Sequence, residues 1–340
     1  MPKQDIAILI PAYKPDGQMV PFIKSLHEYG IGRIIVVDDG GGAPYAHLFD
    51  QITEFAEILV HPVNRGKGAA LKTGLNHISK TPGTAVITAD ADGQHSPGDI
   101  IKIAAALRET PDALILGARN KQSMPPRSKA GNTMTCFWVN ALVGLRLTDT
   151  QTGLRGIPAS ALNPFMALEG DRYEYEMSML ISAAKNSIPI REIEIETIYF
   201  DGNKGSHFKA MRDGMRIYGI LFKQVIAYIL SSLASTAIDY ALFFIVLWRF
   251  PDNLFAAVFI ARASSSLANY FINRNVVFKR KEKTRTLYMY YALVAANALC
   301  NYLMQLALAQ WGVTAAITKP AVDLVLYAIS YRVQSRYIFK

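Results

Sequence analysis

Two aspartates stand one residue apart directly after an apolar run in the first third of the sequence. The run covers residues 84–89, and the aspartates are Asp90 and Asp92. Where a buried strand gives way to a turn, two carboxylates so spaced can reach one hard cation, and that cation can neutralise a diphosphate. The pattern indicates a metal-assisted nucleotide site, although an acidic exposed turn is the commoner explanation of Asp-x-Asp when it occurs alone.

Other polar residues also follow apolar runs that have the composition of strands. Ile6–Ile10 ends at Pro11, residues 33–37 end on two aspartates and a glycine turn, and residues 114–118 end at Arg119. Parallel strands of an open α/β sheet place their carboxyl ends at one edge, where such sheets bind ligands. Their convergence favours a nucleotide-diphosphate pocket over several independent turns.

A lysine between two glycines opens a predicted helix in the same part of the chain. The segment is residues 64–70, with Lys67 between Gly66 and Gly68. Glycines at a helix start let the backbone and an ammonium group approach an anion. The spacing is not that of a Walker loop, and Gly-Lys-Gly by itself is most often only a turn.

The composition divides the 340 residues into two parts. Short apolar runs alternate with polar helical stretches up to about residue 210, and beyond about residue 220 the chain is mostly apolar, which raises the hydrophobic share to 51% and the mean hydropathy to +0.16. We therefore expect a soluble domain over residues 1–210, an amphipathic juxtamembrane segment over 211–223 and a membrane domain over 224–340.

The net charge of +9 has a simpler explanation than nucleic-acid binding. Basic residues crowd the boundary between the two parts and the ends of the apolar segments, where they face anionic lipid and fix topology, so no nucleic-acid partner is expected. The two cysteines, Cys136 and Cys300, have no metal-ligand spacing and imply no disulfide framework. The chain begins directly with a predicted strand and shows no secretory signal, so the first domain is expected in the cytosol.

Four apolar segments are long enough to cross a membrane: residues 224–248, 254–276, 287–311 and 313–333. Basic residues precede the first segment, separate the second from the third and follow the fourth. The positive-inside rule then predicts four spans with both termini in the cytoplasm.

Residues 269–279 align without gaps on residues 330–340, which indicates a paired architecture in the membrane half. The predicted spans also contain Asp239, Arg262, Lys319 and Asp323. Their charges sum to zero, so structural pairing is favoured over a transport path, with Lys319 and Asp323 spaced to pair on one helix face.

Residues 1–210 resemble the family 2 glycosyltransferases of the GT-A (nucleotide-diphospho-sugar transferase, Rossmann-like) fold. The resemblance is to the branch of dolichol-phosphate mannose synthase and the bacterial polyprenyl-phosphate glucosyltransferases. Residues 224–340 resemble the GtrA-like four-helix membrane family, through the endings at 269–274 and 330–334. The matching motifs of the first part are Pro11-Ala12-Tyr13, Val37-Asp38-Asp39-Gly40, Asn64-Arg65-Gly66-Lys67-Gly68, Asp90-Ala91-Asp92-Gly93-Gln94-His95, Gly117-Ala118-Arg119 and the run from Asp149 to Gly156.

This resemblance implies roles for individual residues. Asp90, Asp92 and Arg119 would be catalytic, and Mg²⁺ or Mn²⁺ would be held by Asp90, Asp92 and Gln94. The nucleotide sugar would contact Pro11, Ala12, Tyr13, Asp39, Lys67 and Ala91. The acceptor phosphate would meet Arg127, Ser128 and Lys129, whose alternative role is a basic surface facing anionic headgroups.

Several further residues have more than one interpretation from the sequence. Glu174 and Glu176 fall in the first turn of a helix predicted from Arg172 to Lys185, where carboxylates favour the helix dipole; Glu176 alternatively reaches the site. Asp149 is available to orient acceptor or sugar, but it is not needed as a base because the acceptor phosphate is already anionic. His207 and Lys209 lie in a predicted polar loop, which is either a solvated loop or one that contacts phosphate.

The implied function is a metal-dependent, inverting transfer of one hexose from UDP-glucose or GDP-mannose to a polyprenyl or dolichyl phosphate. It would occur at the cytoplasmic face of a prokaryotic plasma membrane, and the chain is a possible homo-oligomer. The alternative is a glycolipid translocation protein whose soluble domain mainly binds substrate. A processive polysaccharide synthase is disfavoured, because the sequence contains no Gln-x-x-Arg-Trp motif.

Overall fold

The computed structural model of the chain describes residues 5–122, 124–198, 210–278, 284–310 and 315–339. Contacts divide the chain into two compact units, Met1–Leu221 and Phe222–Lys340. Each unit has its own architecture, and each is described separately.

The first unit is built around a seven-stranded mixed sheet with the order β3-β2-β1-β4-β6-β5-β7. Six strands run in one direction, and β6 lies antiparallel between β4 and β5. The strands are β1 (Ile6–Ala12), β2 (Ile34–Asp38), β3 (Glu57–Val60), β4 (Ala85–Thr88), β5 (Leu114–Arg119), β6 (Arg155–Ile157) and β7 (Ile190–Ile195).

The sheet corrects one expectation, because the sequence predicts parallel strands and not the reversed β6. That strand has only three residues, too few for a hydrophobic period to be visible. Its middle residue is Gly156. A Cβ there would lie 2.8 Å from Cγ of Leu107, which belongs to the helix Pro97–Glu109 (α4) that covers this strand. The predicted convergence of β1, β2, β4 and β5 at one edge is confirmed, since these four strands share one direction.

Helices pack against the sheet. Ser96 caps α4 by accepting a hydrogen bond from the backbone N–H of Asp99 at 3.1 Å. A π-helical turn, Val139–Val143, follows α5. The helices are α1 (Met19–Glu28), α2 (Ala43–Asp50), α3 (Lys67–Ile78), α4 (Pro97–Glu109), α5 (Pro126–Trp138), α6 (Leu162–Met166) and α7 (Glu174–Lys185).

Four long helices make up the rest: α8 (Ala210–Arg249), α9 (Leu254–Ile272), α10 (Thr284–Ala309) and α11 (Ala315–Val333). Among the described residues, three segments are long and apolar enough to span a membrane: Met211–Arg249, Leu254–Val277 and Arg285–Leu308. The predicted fourth span coincides with the 19-residue α11 and stays a prediction. The predicted juxtamembrane segment 211–223 is the first part of the 40-residue α8.

The internal repeat has a structural counterpart in the second unit. Helices α9 and α11 each run into a π-helical turn, Asn273–Val277 and Gln334–Ile338, at aligned positions. The two turns meet where the Asn273 side-chain amide donates to Oε1 of Gln334 at 3.1 Å. The unit is therefore two copies of one helical hairpin, α8–α9 and α10–α11.

Each hairpin carries a hydrogen bond between its helices at an equivalent place. Asn269 donates to Ser235 at 2.9 Å in the first hairpin, and Asn297 donates to Ser330 at 2.6 Å in the second. The gapless alignment of the repeat places Asn269 on Ser330. The two copies thus make this contact at matching positions, but the asparagine lies on the second helix of the first hairpin and on the first helix of the second hairpin.

Each hairpin has a second polar contact, whose residues lie four positions after the first contact on α8 and α10 and seven positions before it on α9 and α11. Arg262 lies 3.6 Å from Asp239 in the first hairpin, and Asn301 donates to Asp323 in the second. The structural pairing predicted for Asp239 and Arg262 is present. The predicted partner of Asp323 is Lys319, whose side chain lies outside the described residues.

Candidate active site

The functional edge of the sheet is organised by a lysine that contacts two carboxylates. The Nζ atom of Lys67, at the start of α3, lies 2.6 Å from Oδ1 of Asp90 and 3.1 Å from Oε1 of Glu176. It also lies 5.7 Å from the centre of the Tyr173 ring. Residues from α3, the end of β4 and the start of α7 thus form one charged cluster.

Asp90 is held from its other side by a glycine. A Cβ on Gly153 would lie 2.3 Å from Oδ2 of Asp90, so no larger residue fits there without moving the carboxylate. The carbonyl of Gly153 accepts a hydrogen bond from Thr88 at 2.8 Å, which ties this loop to β4. The position of Asp90 therefore depends on a residue far away in sequence.

Asp92 carries the negative charge that the cluster compensates least. Burial, followed by repulsion from Asp90, raises the pKa of Asp92 to about 6. Its Oδ1 atom accepts a hydrogen bond from the backbone N–H of Gln94 at 3.1 Å. A carboxylate in this situation gains from a nearby cation, which fits the predicted metal role.

The other charged groups of the cluster shift one another's pKa values. Burial alone would raise the pKa of Asp90, but the neighbouring Lys67 ammonium lowers it below its ordinary value. Burial opposes the charge of Lys67, yet the carboxylates of Asp90 and Glu176 raise its pKa above the ordinary value. Burial lowers the pKa of His95, whose Nε2 lies 3.9 Å from Asp90, so this imidazole is neutral at pH 7.

No cluster of three or more His, Cys, Asp or Glu side chains in the described parts of the chain is arranged to hold a metal ion. Magnesium in nucleotide enzymes is commonly held by one or two carboxylates together with substrate phosphates and water. Asp90 and Asp92 meet that smaller requirement, so the residues fit a divalent cation whose remaining ligands are water or a diphosphate.

Arg119 is oriented by a buried aspartate. Its Nε donates to Oδ2 of Asp149 at 2.6 Å and its Nη2 donates to Oδ1 at 3.1 Å, a bidentate pair. The Asp149 side chain is fully buried, and its Oδ1 atom also accepts the backbone N–H of Gln151 at 2.9 Å. Asp149 therefore positions Arg119 at the end of β5.

Arg155 is a buried guanidinium that fixes the backbone around the site. It donates to the carbonyls of Thr152 at 3.0 Å, Glu176 at 2.6 Å and Thr150 at 3.3 Å. Burial lowers the pKa of Arg155, although the charge remains. The residue joins the loop before β6 to the first turn of α7, which brings Gly153 and Glu176 to the cluster.

Asp39, predicted to line the nucleoside, has its carboxylate surrounded by donors from the next loop. It accepts hydrogen bonds from the backbone N–H groups of Arg65 at 2.9 Å and Gly66 at 2.7 Å, and from the Asn64 amide at 3.1 Å. The His61 Nδ1 atom lies 2.8 Å away. These contacts hold the loop that leads into Lys67.

The glycines beside Lys67 serve close packing as well. A Cβ on Gly66 would lie 2.4 Å from the carbonyl oxygen of Asp171, and one on Gly68 would lie 2.6 Å from Cβ of Tyr175. The start of α3 therefore rests directly on the segment that leads into α7. This contact places Lys67 beside Glu176.

The other predicted site residues occupy the same unit. Arg127 and Lys129 are exposed in the first turn of α5, where Ser128 is half-buried. His207 and Lys209 lie outside the described residues. The predicted nucleotide residues Pro11, Ala12, Tyr13 and Ala91 follow or end β1 and β4.

Three site residues were not assigned from the sequence, Gly153, Arg155 and His95, and Glu176 was left open between a helix-dipole contact and a site contact. The first three stand inside motifs, but nothing in the motifs shows what they contact. The helix dipole is one of the two explanations that the sequence offers for Glu176, and the structure places its carboxylate beside Lys67 instead. That explanation holds for Glu174, which accepts the backbone N–H groups of Asp171 and Arg172 at 3.2 Å each.

Comparison with known protein families gives two matches. Residues 7–168 match the model of glycosyl transferase family 2. Residues 227–339 match the model of the GtrA/DPMS transmembrane domain. Together the matched segments include every residue of the charged cluster except Tyr173 and Glu176.

Individual relatives extend the first match. The UDP-N-acetylglucosamine–dolichyl-phosphate N-acetylglucosaminyltransferase of Methanococcus voltae is 31% identical over 215 residues, covering 57% of this chain and 86% of the relative. The dolichyl-phosphate beta-glucosyltransferase of Saccharomyces cerevisiae is 28% identical over 234 residues, covering 58% of this chain and 68% of the relative. The solved structure of glucosyl-3-phosphoglycerate synthase from Mycobacterium tuberculosis, with Mn²⁺, UDP and glucosyl-3-phosphoglycerate, aligns with a TM-score of 0.49 at 18% identity, covering 67% of this chain and 79% of that one.

Proposed function

We propose, because this chain belongs to glycosyl transferase family 2 and carries a GtrA/DPMS transmembrane domain, that it transfers one sugar from a nucleotide diphosphate to a polyprenyl phosphate. The observation that carries the proposal is the cluster of Asp90, Asp92 and Lys67 at the carboxyl edge of a GT-A-like mixed sheet. Relatives named for dolichyl-phosphate glycosyl transfer supply the acceptor class.

The donor would lie across the ends of β1, β2 and β4. Pro11, Ala12, Tyr13 and Asp39 stand on the nucleoside side, with Asp39 holding the loop of Lys67 in place. Lys67 and Ala91 stand nearer the diphosphate. Uridine diphosphate glucose is the first choice of donor, since the named relatives use glucose or UDP-N-acetylglucosamine; guanosine diphosphate mannose is the second.

Asp90 and Asp92, with Gln94 as a third candidate, would hold Mg²⁺ or Mn²⁺. When bound, the cation supplies positive charge that stabilises the departing diphosphate. The chain contributes two carboxylates of unequal character: Asp90 is paired with Lys67, while burial, followed by repulsion from Asp90, raises the pKa of Asp92.

The acceptor needs little chemical activation. A lipid phosphate is anionic at neutral pH, so positioning and electrostatic stabilisation account for the catalysis that the chain must supply. Arg119, oriented by Asp149, would contribute positive charge at the reacting centre. Arg127, Ser128 and Lys129 would guide the acceptor phosphate, and a single displacement would invert the anomeric carbon.

The membrane part would keep the enzyme at its lipid substrate. We propose four spans over residues 224–340, with both termini at the cytoplasmic face of a prokaryotic plasma membrane, following the distribution of basic residues. Residues 1–210 would form the catalytic domain and residues 211–223 would lie at the membrane surface. Pairing of two chains is compatible with this arrangement.

The test is product formation by the full chain in detergent. The purified protein is incubated with polyprenyl phosphate, Mn²⁺ and, separately, UDP-glucose, UDP-N-acetylglucosamine and GDP-mannose, and the lipids are analysed by mass spectrometry. We expect the lipid mass to rise by one sugar with one donor. If no donor yields product, while vesicles containing the chain translocate a preformed glycolipid, the translocation alternative replaces this proposal.

A further inference from the structure

We propose that Glu176 is a positioning residue that shares Lys67 with Asp90, and that it retains the lysine when a divalent cation takes Asp90. The inference rests on the proposed metal role of Asp90. It assigns a role to a carboxylate that the sequence left open between a helix-dipole contact and a site contact.

The first observation is that the Lys67 ammonium already contacts the Asp90 carboxylate. The ammonium lies 2.6 Å from Oδ1, and Oδ2 faces the position where a Cβ of Gly153 would lie only 2.3 Å away. One carboxylate oxygen therefore contacts a cation and the other packs against Gly153, while 32% of the Asp90 side chain is exposed. A divalent ion binding Asp90 must compete with Lys67, because two cations repel each other at such short distances.

The second observation is that Glu176 is ready to receive the lysine. Its side chain is 10% exposed, and Oε1 lies 3.1 Å from Lys67 Nζ without making a hydrogen bond to the described residues. Losing a buried charge partner is costly, so Lys67 would not leave Asp90 readily unless a second carboxylate stayed beside it. Glu176 supplies that second carboxylate within the reach of a small side-chain rotation.

The third observation is that hydrogen bonding and close packing hold the backbone of Glu176 in place. Arg155 donates to the Glu176 backbone carbonyl at 2.6 Å, and the close approach of Gly68 to Tyr175 holds α7 against α3. The lysine therefore has two fixed acceptors, one of which is needed by the cation. Lys67 contacts Asp90 in this structure, and a cation bound to Asp90 would displace Lys67 towards Glu176.

The experiment measures Mn²⁺ binding to the detergent-solubilised full chain, without donor or acceptor, by electron paramagnetic resonance of free Mn²⁺. Lys67→Met is expected to bind Mn²⁺ about tenfold more tightly than the natural chain, because no ammonium has to be displaced. Glu176→Gln is expected to bind about tenfold more weakly, because the displaced ammonium loses its other acceptor.

The double variant Lys67→Met/Glu176→Gln decides between this mechanism and its alternatives. If Glu176 acts through Lys67, its replacement changes the affinity of the Lys67→Met background by less than about twofold. If Glu176→Gln still lowers the Mn²⁺ affinity of the Lys67→Met variant about tenfold, the proposal is overturned. Glu176 would then act on the cation itself, by direct contact or by its negative charge. Absence of Mn²⁺ binding in both the natural chain and Lys67→Met would also overturn it.

Lys72→Met is the matched control. Lys72 lies on the same helix and pairs with Asp171 at 2.7 Å, away from Asp90, so its loss should leave Mn²⁺ affinity unchanged. Because no substrate is present, these outcomes are independent of product formation. A chain that makes no glycolipid but shows the coupled affinities would contradict the proposed function and keep this inference.

Discussion

The sheet edge of the first unit and the first hairpin of the second unit both contain partly buried carboxylates, but the groups around these carboxylates differ. At the edge, Asp90 and Glu176 share Lys67, and Asp92 has a pKa raised to about 6. In the hairpin, Asp239 lies 3.6 Å from Arg262 and accepts the Ser265 hydroxyl at 2.9 Å. Negative charge in excess marks a place for a ligand, whereas matched charge holds two helices together.

The largest effect is expected from removing the negative charge of Asp92 at the sheet edge. Asp92→Asn keeps the shape of the side chain and removes its charge, so sugar transfer should fall about a thousandfold through loss of the cation. Asp112→Asn, at an exposed position before β5, is the control and should retain full activity. Near-normal transfer by Asp92→Asn, measured as radiolabelled lipid product, would remove Asp92 from the metal site.

A second variant tests whether the position of Asp90 matters as much as its charge. Gly153→Ala would place a Cβ 2.3 Å from Oδ2 of Asp90, and the flexible carboxylate would move aside. Transfer should fall about a hundredfold while the thermal unfolding of the protein changes little.

Gly98→Ala is the matched control for this change. A Cβ there would lie 3.7 Å from the Ser96 hydroxyl, an ordinary contact, so activity should be kept. Equal activity of Gly153→Ala and Gly98→Ala would show that the enzyme tolerates a displaced Asp90.

How far the sequence could predict this edge depends on the distance between contacting residues. The apolar runs and their polar endings predicted β1, β2, β4 and β5 and the placement of Asp90 and Arg119, because each signal is local. The partner of Asp90 could not be predicted, since Lys67 lies on α3 and Gly153 in the loop before β6. Such pairings depend on tertiary packing and leave no periodic pattern.

The repeat illustrates the same limit in the second unit. The alignment of residues 269–279 with 330–340 predicted two copies that end alike, and both copies end in π-helical turns. It did not predict that Asn269 and Ser330 exchange donor and acceptor roles, because the partners Ser235 and Asn297 lie on different helices. Contact positions were repeated, and residue types were not.

The pH dependence of cation binding gives a third, smaller effect. A raised folded-state pKa favours neutral Asp92 below about pH 6, and above that pH its charge costs stability that a bound cation restores. Mn²⁺ affinity should therefore fall about tenfold per pH unit on acidification below about pH 6. Titration of Mn²⁺ binding from about pH 8 to about pH 5 measures this fall. Glu176→Gln should keep this fall, because Glu176 is not among the groups that shift the pKa of Asp92; loss of the fall in that variant would assign the titration to a group other than Asp92.

The smallest expected effects come from the hairpins. Ser235→Ala and Asn297→Ala each remove one interhelical hydrogen bond from equivalent positions of the two copies. Because such bonds in membrane helices contribute about 0.6 kcal/mol on average, each variant should lower the free energy of unfolding by about 1 kcal/mol or less. Product formation in detergent should stay within about twofold, since these bonds hold helices and do not meet the sugar. Unfolding followed by circular dichroism, with transfer assayed in parallel, separates the two quantities. If either variant stopped transfer while the helices stayed folded, polar groups of the membrane part would take part in the reaction, and the division between a reactive edge and a structural hairpin would fail.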